Sequence, residues 1–465
     1  MSPTVYYGPL VNPKNLHEYQ ALPHALLGVS SAGIIEWIEP DVPDSSVLQD
    51  VLVKHGYTSV EDVKIVELRR GEFLLPGFID THTHAPQFPN TGIGQQYELL
   101  DWLQNVTFPM EAKFADVAFA RDAYKRVVRR VLDSGTTTCC YYGSLHLDAT
   151  KELANIVNDA GQRAFVGKCN MNRNSPDNYV EASAESSIAD TKTLISYING
   201  LTSTSSGPPL VQPILTPRFA ISCTSPLLSS LGSLDPSLRV QTHISENPSE
   251  VAFTHSLFPA CASYTAVYDT HGLLRHNTIL AHGVHLTDEE LDLIKTREAG
   301  ISHCPTSNFN LSSGVAPVGS WLDRGIKVGL GTDVSGGFSP SILTAVQHAS
   351  IASKVVSLNG GGKDKGPFTG RQLTIPALLF LATLGGAQVC DLASTVGSFE
   401  PGKAFDALLV NTDESAGNPG LWVAGESSVE TRLEQFLFCG DDRNVKEVYV
   451  QGRVVGGTAF RARAS

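Results

Sequence analysis

Between residues 76 and about 390, short apolar and β-branched runs alternate with stretches whose apolar positions recur every three or four residues. That alternation predicts strands and amphipathic helices in turn, and hence βαβ units around a parallel sheet. Eight candidate strands end near Asp80, Tyr142, Asn170, Thr216, His243, Ala281, His303 and Thr332. A helix is predicted over 116–134, where Val117, Ala120, Tyr124, Val127 and Val131 share one face and Gly135 suits a left-handed C-cap. Another opens at Thr287, with Glu290 completing a capping box ahead of Gly300. Eight strands, each followed by a helix, give the count of a (β/α)8 barrel of the α/β class, here residues 76–396. Further β-like runs at 25–29, 34–38, 407–410 and 445–450 flank it. Residues 1–75 and 397–465 are therefore expected to pair into one small β-sandwich domain built from both ends. Gly, Pro, Ser and charge dominate 203–209 and 359–370, which are expected to be flexible.

Composition narrows the partners. With 34 basic and 47 acidic side chains the formal charge is −13, and no run of Lys and Arg makes a local exception, so nucleic acid is not an expected partner. The N-terminal residues lack a basic region followed by an apolar stretch, and no window reaches the ~18 apolar residues of a membrane span. Neither secretion nor membrane insertion is expected. Eight cysteines in 465 residues, none in a CxxC pair, suggest a reducing cytoplasm rather than a disulfide scaffold.

The candidate chemistry gathers at predicted strand ends. His82 and His84 stand two apart, so both imidazoles can share a strand face and point into a barrel mouth. His243 closes the fifth run with Glu246 three residues beyond, His282 closes the sixth, and Asp333 follows the eighth. Taken singly, each has a plainer reading as a rim histidine or a helix-capping carboxylate. Four histidines and one aspartate, all at the strand ends where this fold places active sites, point together to a metal. Nitrogen and carboxylate ligands without thiolates suit Zn²⁺ in a catalytic site that keeps a position open for water.

Pro76-Gly-Phe-Ile-Asp-Thr-His-Thr-His84 and the later anchors resemble the amidohydrolase superfamily, in particular its mononuclear-zinc aminohydrolase branch. The resemblance implies that His82, His84, His243 and Asp333 bind one zinc ion per chain. It also implies that His282 sits beside the metal-bound water and that Glu246 shuttles protons. A binuclear relative would want a carboxylated lysine at the end of strand four, which here reads Leu215-Thr-Pro-Arg218. Lys168 falls on strand three instead, where a structural ion pair or hydrogen bond is expected. Ala85-Pro-Gln87, Leu100-Asp-Trp-Leu103, Thr107-Phe-Pro-Met-Glu111, Thr216-Pro-Arg-Phe219, His243-Ile-Ser-Glu246, His303-Cys-Pro-Thr-Ser-Asn308 and Gly397–Asp406 are similar to the guanine deaminase family. This narrower likeness runs from roughly Pro76 to Ala407, leaving linkers such as 203–209 unmatched. It implies guanine as substrate, xanthine and ammonia as products, and a homodimer.

The chemistry is consistent with these residue types. Deaminating a purine by hydrolysis needs a nucleophile at neutral pH, which zinc supplies by lowering the pKa of bound water to about 7. Attack at C2 of guanine loads negative charge onto the adjacent ring nitrogen. Glu246 is expected to take the water's proton and to protonate N3 and the departing amine. Asp333 would hold the water's remaining proton while ligating, and His282 would orient the attacking oxygen or stabilise the adduct. For recognition, Arg218 is expected to donate to O6, Gln87 to offer both donor and acceptor to the N3, amino and N1–H edge, and Phe219 to stack on or beside the ring. A rim ion pair is the plainer alternative for Arg218. Trp102 is expected to pack, and His285 and His303 fall outside the metal constellation. A zinc aminohydrolase for a triazine, cytosine or nucleoside is the runner-up, which Arg218 and Gln87 disfavour. The cytidine-deaminase signature, His-x-Glu with Pro-Cys-x-x-Cys, is absent. A metal-free scaffold barrel would be expected to have lost some of the five anchors.

Overall fold

Eight parallel strands carry the centre of the chain: Phe78–His84, Thr136–Tyr142, Arg163–Gly167, Val211–Pro217, Arg239–Ile244, Thr278–His282, Gly300–His303 and Lys327–Leu330. In this computed structural model, which describes residues 2–42, 44, 47–202, 209–360, 366–424 and 427–464, each strand pairs with the next. The first and last meet through backbone bonds, Asp333 N to His82 O at 2.9 Å and His84 N to Val334 O at 3.2 Å, which nearly close the barrel. Residues 203–208 and 361–365, within the two segments expected to be flexible, lie outside the described residues.

Strands such as Thr136–Tyr142 are buried along their whole length, the pattern of a parallel sheet covered on both faces. The first strand runs four residues beyond Asp80, because Thr83 and His84 stay in register with Tyr141 and Tyr142 of the second. The helix Val117–Asp133 is capped by the Asp116 carboxylate and buries Ala120, Tyr124, Val127 and Val131, and Gly135 follows at φ +94°. Thr287 and Glu290 form the reciprocal capping box of Asp288–Thr296.

The chain ends share a second, eight-stranded sheet. Its seam is Glu72–Pro76, which pairs in parallel with Thr4–Pro13 and antiparallel with Ala407–Asn411. Neither Thr4–Pro13 nor Glu72–Pro76 stands out as a separate run in the sequence. Tyr6, Leu27, Phe405, Leu409 and Tyr449 belong to a core of its own, with the Tyr6 and Phe405 rings stacked at 4.7 Å. The sheet is tied to the barrel by Arg163, whose Nε and Nη2 donate to Asp406 Oδ2 and Oδ1 at 2.9 and 3.2 Å.

Candidate active site

The C-terminal ends of the first and fifth strands and the turn after the eighth bring His82, His84, His243 and Asp333 together. All four are buried, with ligating atoms within 4.8 Å of one another. His82 Nε2 lies 3.1 Å and His84 Nε2 3.4 Å from Asp333 Oδ1, and His84 Nε2 lies 3.0 Å from His243 Nε2. The Arg218 carbonyl sits 2.6 Å from His243 Nδ1, which puts the proton on that nitrogen and turns the Nε2 lone pair toward the cluster. Burial, then the neighbouring imidazoles, hold His84 and His243 well below the usual histidine range. Burial opposes ionisation of Asp333, yet its bond to His82 and the charges of His82 and His282 hold its carboxyl well below the ordinary range. Imidazole nitrogens and carboxylate oxygens packed this closely repel one another unless a shared proton or a metal cation joins them. Three imidazoles and a carboxylate are a donor set for a divalent metal such as zinc. Cys304 also lies near His82 and His282, and burial raises its thiol well above the usual range.

The backbone around the cluster is tightly constrained. A Cβ on Gly331 would fall 2.5 Å from Ser302 Oγ and 3.0 Å from that of His82, so only glycine lets the eighth strand pass so close to the ligands. His282 and Asp333 adopt left-handed φ values of +76° and +46°, conformations that cost non-glycine residues roughly 1–3 kcal/mol and cluster at functional sites. Asp333 is held there by its own N–H on His82 and by Gly337 N donating to its carbonyl at 2.6 Å.

Glu246 Oε2 lies 3.4 Å from His282 Nε2, and Ser313 Oγ donates to Glu246 Oε1 at 3.3 Å. Burial, then the negative charges of Asp333 and Glu250, raise the Glu246 carboxyl well above its usual range, so it can hold a proton as well as accept one. Glu250 fixes the backbone here, accepting from the N–H groups of Glu246 and Asn247 at 2.7 and 3.2 Å. Asn308 Oδ1, 2.9 Å from His282 Nδ1, sets that ring so that Nε2 faces Glu246 and Asp333.

A cavity of about 350 Å³ opens onto the cluster, and Gln87, Arg218, Phe219 and Trp102 form part of its wall. Arg218 also donates through Nη1 and Nη2 to Glu111 Oε2 and Oε1 at 2.6 and 3.1 Å, over the Phe108 ring. Ion pair and cavity wall, weighed as alternatives from sequence, are the same side chain. Gln87 Nε2 donates to Glu111 Oε1 at 2.8 Å and its Oε1 accepts from Ser335 N at 3.0 Å, which fixes the amide's orientation and leaves one N–H and one oxygen lone pair. The Phe219 ring stands edge-on to His243 at 6.2 Å, beside the metal cluster.

Glu111 is the residue that sequence reasoning quoted without assigning it a role. The available signal was a lone acid closing the otherwise uncharged Thr107-Phe-Pro-Met-Glu111 segment. Lys168, buried away from the cluster, forms an ion pair with Glu181 and donates to the Cys169 carbonyl at 3.2 Å. His285 Nε2 lies 2.7 Å from the Ser313 carbonyl, and His303, which burial lowers to about 3, borders a different cavity.

The Amidohydrolase family pattern matches residues 73–455. A guanine deaminase of Dictyostelium discoideum is 41% identical over 454 residues, spanning 97% of this chain and 98% of that protein. One of Homo sapiens is 40% identical over 435 residues, 92% of this chain and 91% of that protein. The crystal structure of a guanine deaminase from C. acetobutylicum with bound guanine in the active site matches with a TM-score of 0.85 at 35% identity, covering 97% of this chain and 99% of that one. With one family pattern spanning most of its length and these relatives matching nearly end to end, the chain belongs to the amidohydrolase family, among its guanine deaminases.

Proposed function

We infer that the chain hydrolyses guanine to xanthine and ammonia. The observation that carries this reading is a cavity with Arg218 and Gln87 in its wall, opening onto the His82–His84–His243–Asp333 cluster, in a chain similar to guanine deaminases over nearly its whole length. His82, His84, His243 and Asp333 would hold one zinc ion, which when bound activates water at neutral pH. Glu246, its carboxyl raised by burial, accepts a proton from the attacking water as its oxygen bonds to C2. It delivers that proton to N3, then takes the remaining proton from the C2 hydroxyl and passes it to the exocyclic amino group, whose bond to C2 breaks to release ammonia as the C2 carbonyl forms. His282, oriented by Asn308 and 3.4 Å from Glu246, steadies the attacking oxygen. Asp333 holds the water's second proton. Arg218 donates to the acceptor edge at O6, Gln87 donates through its free N–H, and Phe219 bounds the ring. A cytoplasmic location follows from the sparse cysteines, and a homodimer from the family likeness alone.

The direct test supplies zinc-loaded protein with guanine, adenine or cytosine and follows ammonia together with xanthine. Ammonia from guanine alone is expected. No release from guanine, with metal bound, would sink the reading.

A further inference from the structure

Glu111 is fully buried yet bonded to two of the cavity's wall residues. Its Oε1 accepts from Arg218 Nη2 and Gln87 Nε2 at 3.1 and 2.8 Å, and its Oε2 from Arg218 Nη1 and the Tyr179 hydroxyl, both at 2.6 Å. We propose that Glu111 is a positioning residue for substrate selection: it fixes the orientation of Arg218 and Gln87 so that their remaining N–H donors are matched to a ring edge rich in acceptors.

A guanidinium is a rigid planar fork, so pinning both terminal nitrogens fixes the plane and direction of its remaining N–H groups. A glutamine amide can in principle turn either end to a ligand. Here Ser335 N–H requires the oxygen on one side and the Glu111 carboxylate requires the nitrogen on the other, and a flip would set oxygen against carboxylate and N–H against N–H. Finally, Glu111 neutralises Arg218 inside the wall. The ion pair leaves the wall with directed donors but without net positive charge, which suits a neutral ring over an anion.

The inference rests on the proposed function, because the acceptor edge in question is that of a 6-oxopurine. Calorimetric binding of hypoxanthine, which carries the 6-oxo group, and of purine, which lacks it, reads the selection without requiring turnover. The unsubstituted chain should bind hypoxanthine at least about tenfold more tightly than purine. Glu111→Gln should shrink that ratio about fivefold or more while bound metal stays constant. Glu111→Asp keeps the charge but is one methylene too short to reach Arg218 and Gln87 together, and should give an intermediate ratio. In an Arg218→Ala background, adding Glu111→Gln should change the ratio less than about twofold, since its effect passes through the arginine. A merely structural role would weaken both ligands alike, and an unchanged ratio overturns the proposal. If the Gln variant does not fold, the Asp variant decides. Ammonia release from guanine with an unchanged ratio overturns this inference alone, whereas no release from guanine by the unsubstituted chain overturns the proposed function and this inference with it.

Discussion

Two buried arginine–carboxylate pairs lie at opposite ends of the barrel. At the mouth, Arg218 grips Glu111 with side chains 3% and 1% exposed. At the floor, Arg163 grips Asp406 with 5% and 1%. Both contacts are two-pronged, and both join residues far apart in sequence. Their surroundings separate them. Arg218 borders a cavity, and its partner also orients Gln87. Arg163 starts the third strand, and Asp406 accepts in addition from Gln451 N at 2.8 Å, so that pair locks the barrel to the sheet of the chain ends. Burial and geometry alone do not tell a reader of substrate from a structural rivet. What decides is whether the arginine has donors left over that face open space.

The largest effect is expected at the mouth from His82→Ala, which removes one of four ligands and should take both bound metal and ammonia release to background. Full metal content and activity in that variant would remove the His82–His84 pair from the site. Next, Glu246→Gln keeps the volume but cannot exchange protons. Metal should be retained while deamination falls by about 10²–10⁴-fold, and near-normal turnover would end its role as proton carrier.

The paired arginines then receive the same substitution. Arg218→Lys leaves a positive charge against Glu111, but one ammonium cannot both hold two carboxylate oxygens and donate to the cavity. With metal content unchanged, kcat/KM for guanine should drop about 10- to 100-fold. The smallest effect on activity is expected from Arg163→Lys, with kcat/KM within about twofold. The loss there should appear as a lower melting temperature, for a stability decrease on the order of 1–3 kcal/mol, since an imperfectly compensated buried carboxylate remains. If both lysine variants changed the same quantity, the distinction between mouth and floor would be wrong.

Much of the site was legible because its residues occupy a position that strand pattern alone predicts. His82, His84, His243, His282 and Asp333 each close or follow a run of buried residues, and in a parallel barrel those ends converge whatever the rest of the chain does. Glu246 was legible by its offset from His243. Gln87 is legible as a wall residue, but the orientation of its amide is not, because it depends on Ser335, 248 residues away.

The alternation of strands and helices, the capping of Val117–Asp133 and Asp288–Thr296, and the residue types at the barrel mouth are written locally in the chain. These follow from side-chain periodicity and cap chemistry among near neighbours, where the backbone allows few arrangements. The folded chain alone shows that Glu111 meets Arg218 across 107 residues and that Asp406 meets Arg163 across 243. The same holds for the left-handed backbone of Asp333 and His282 and for Glu72–Pro76 as the seam of the terminal sheet. Such features leave no local pattern, because each exists only when distant segments bury one another and must satisfy their charges and N–H groups inside a medium that offers no water.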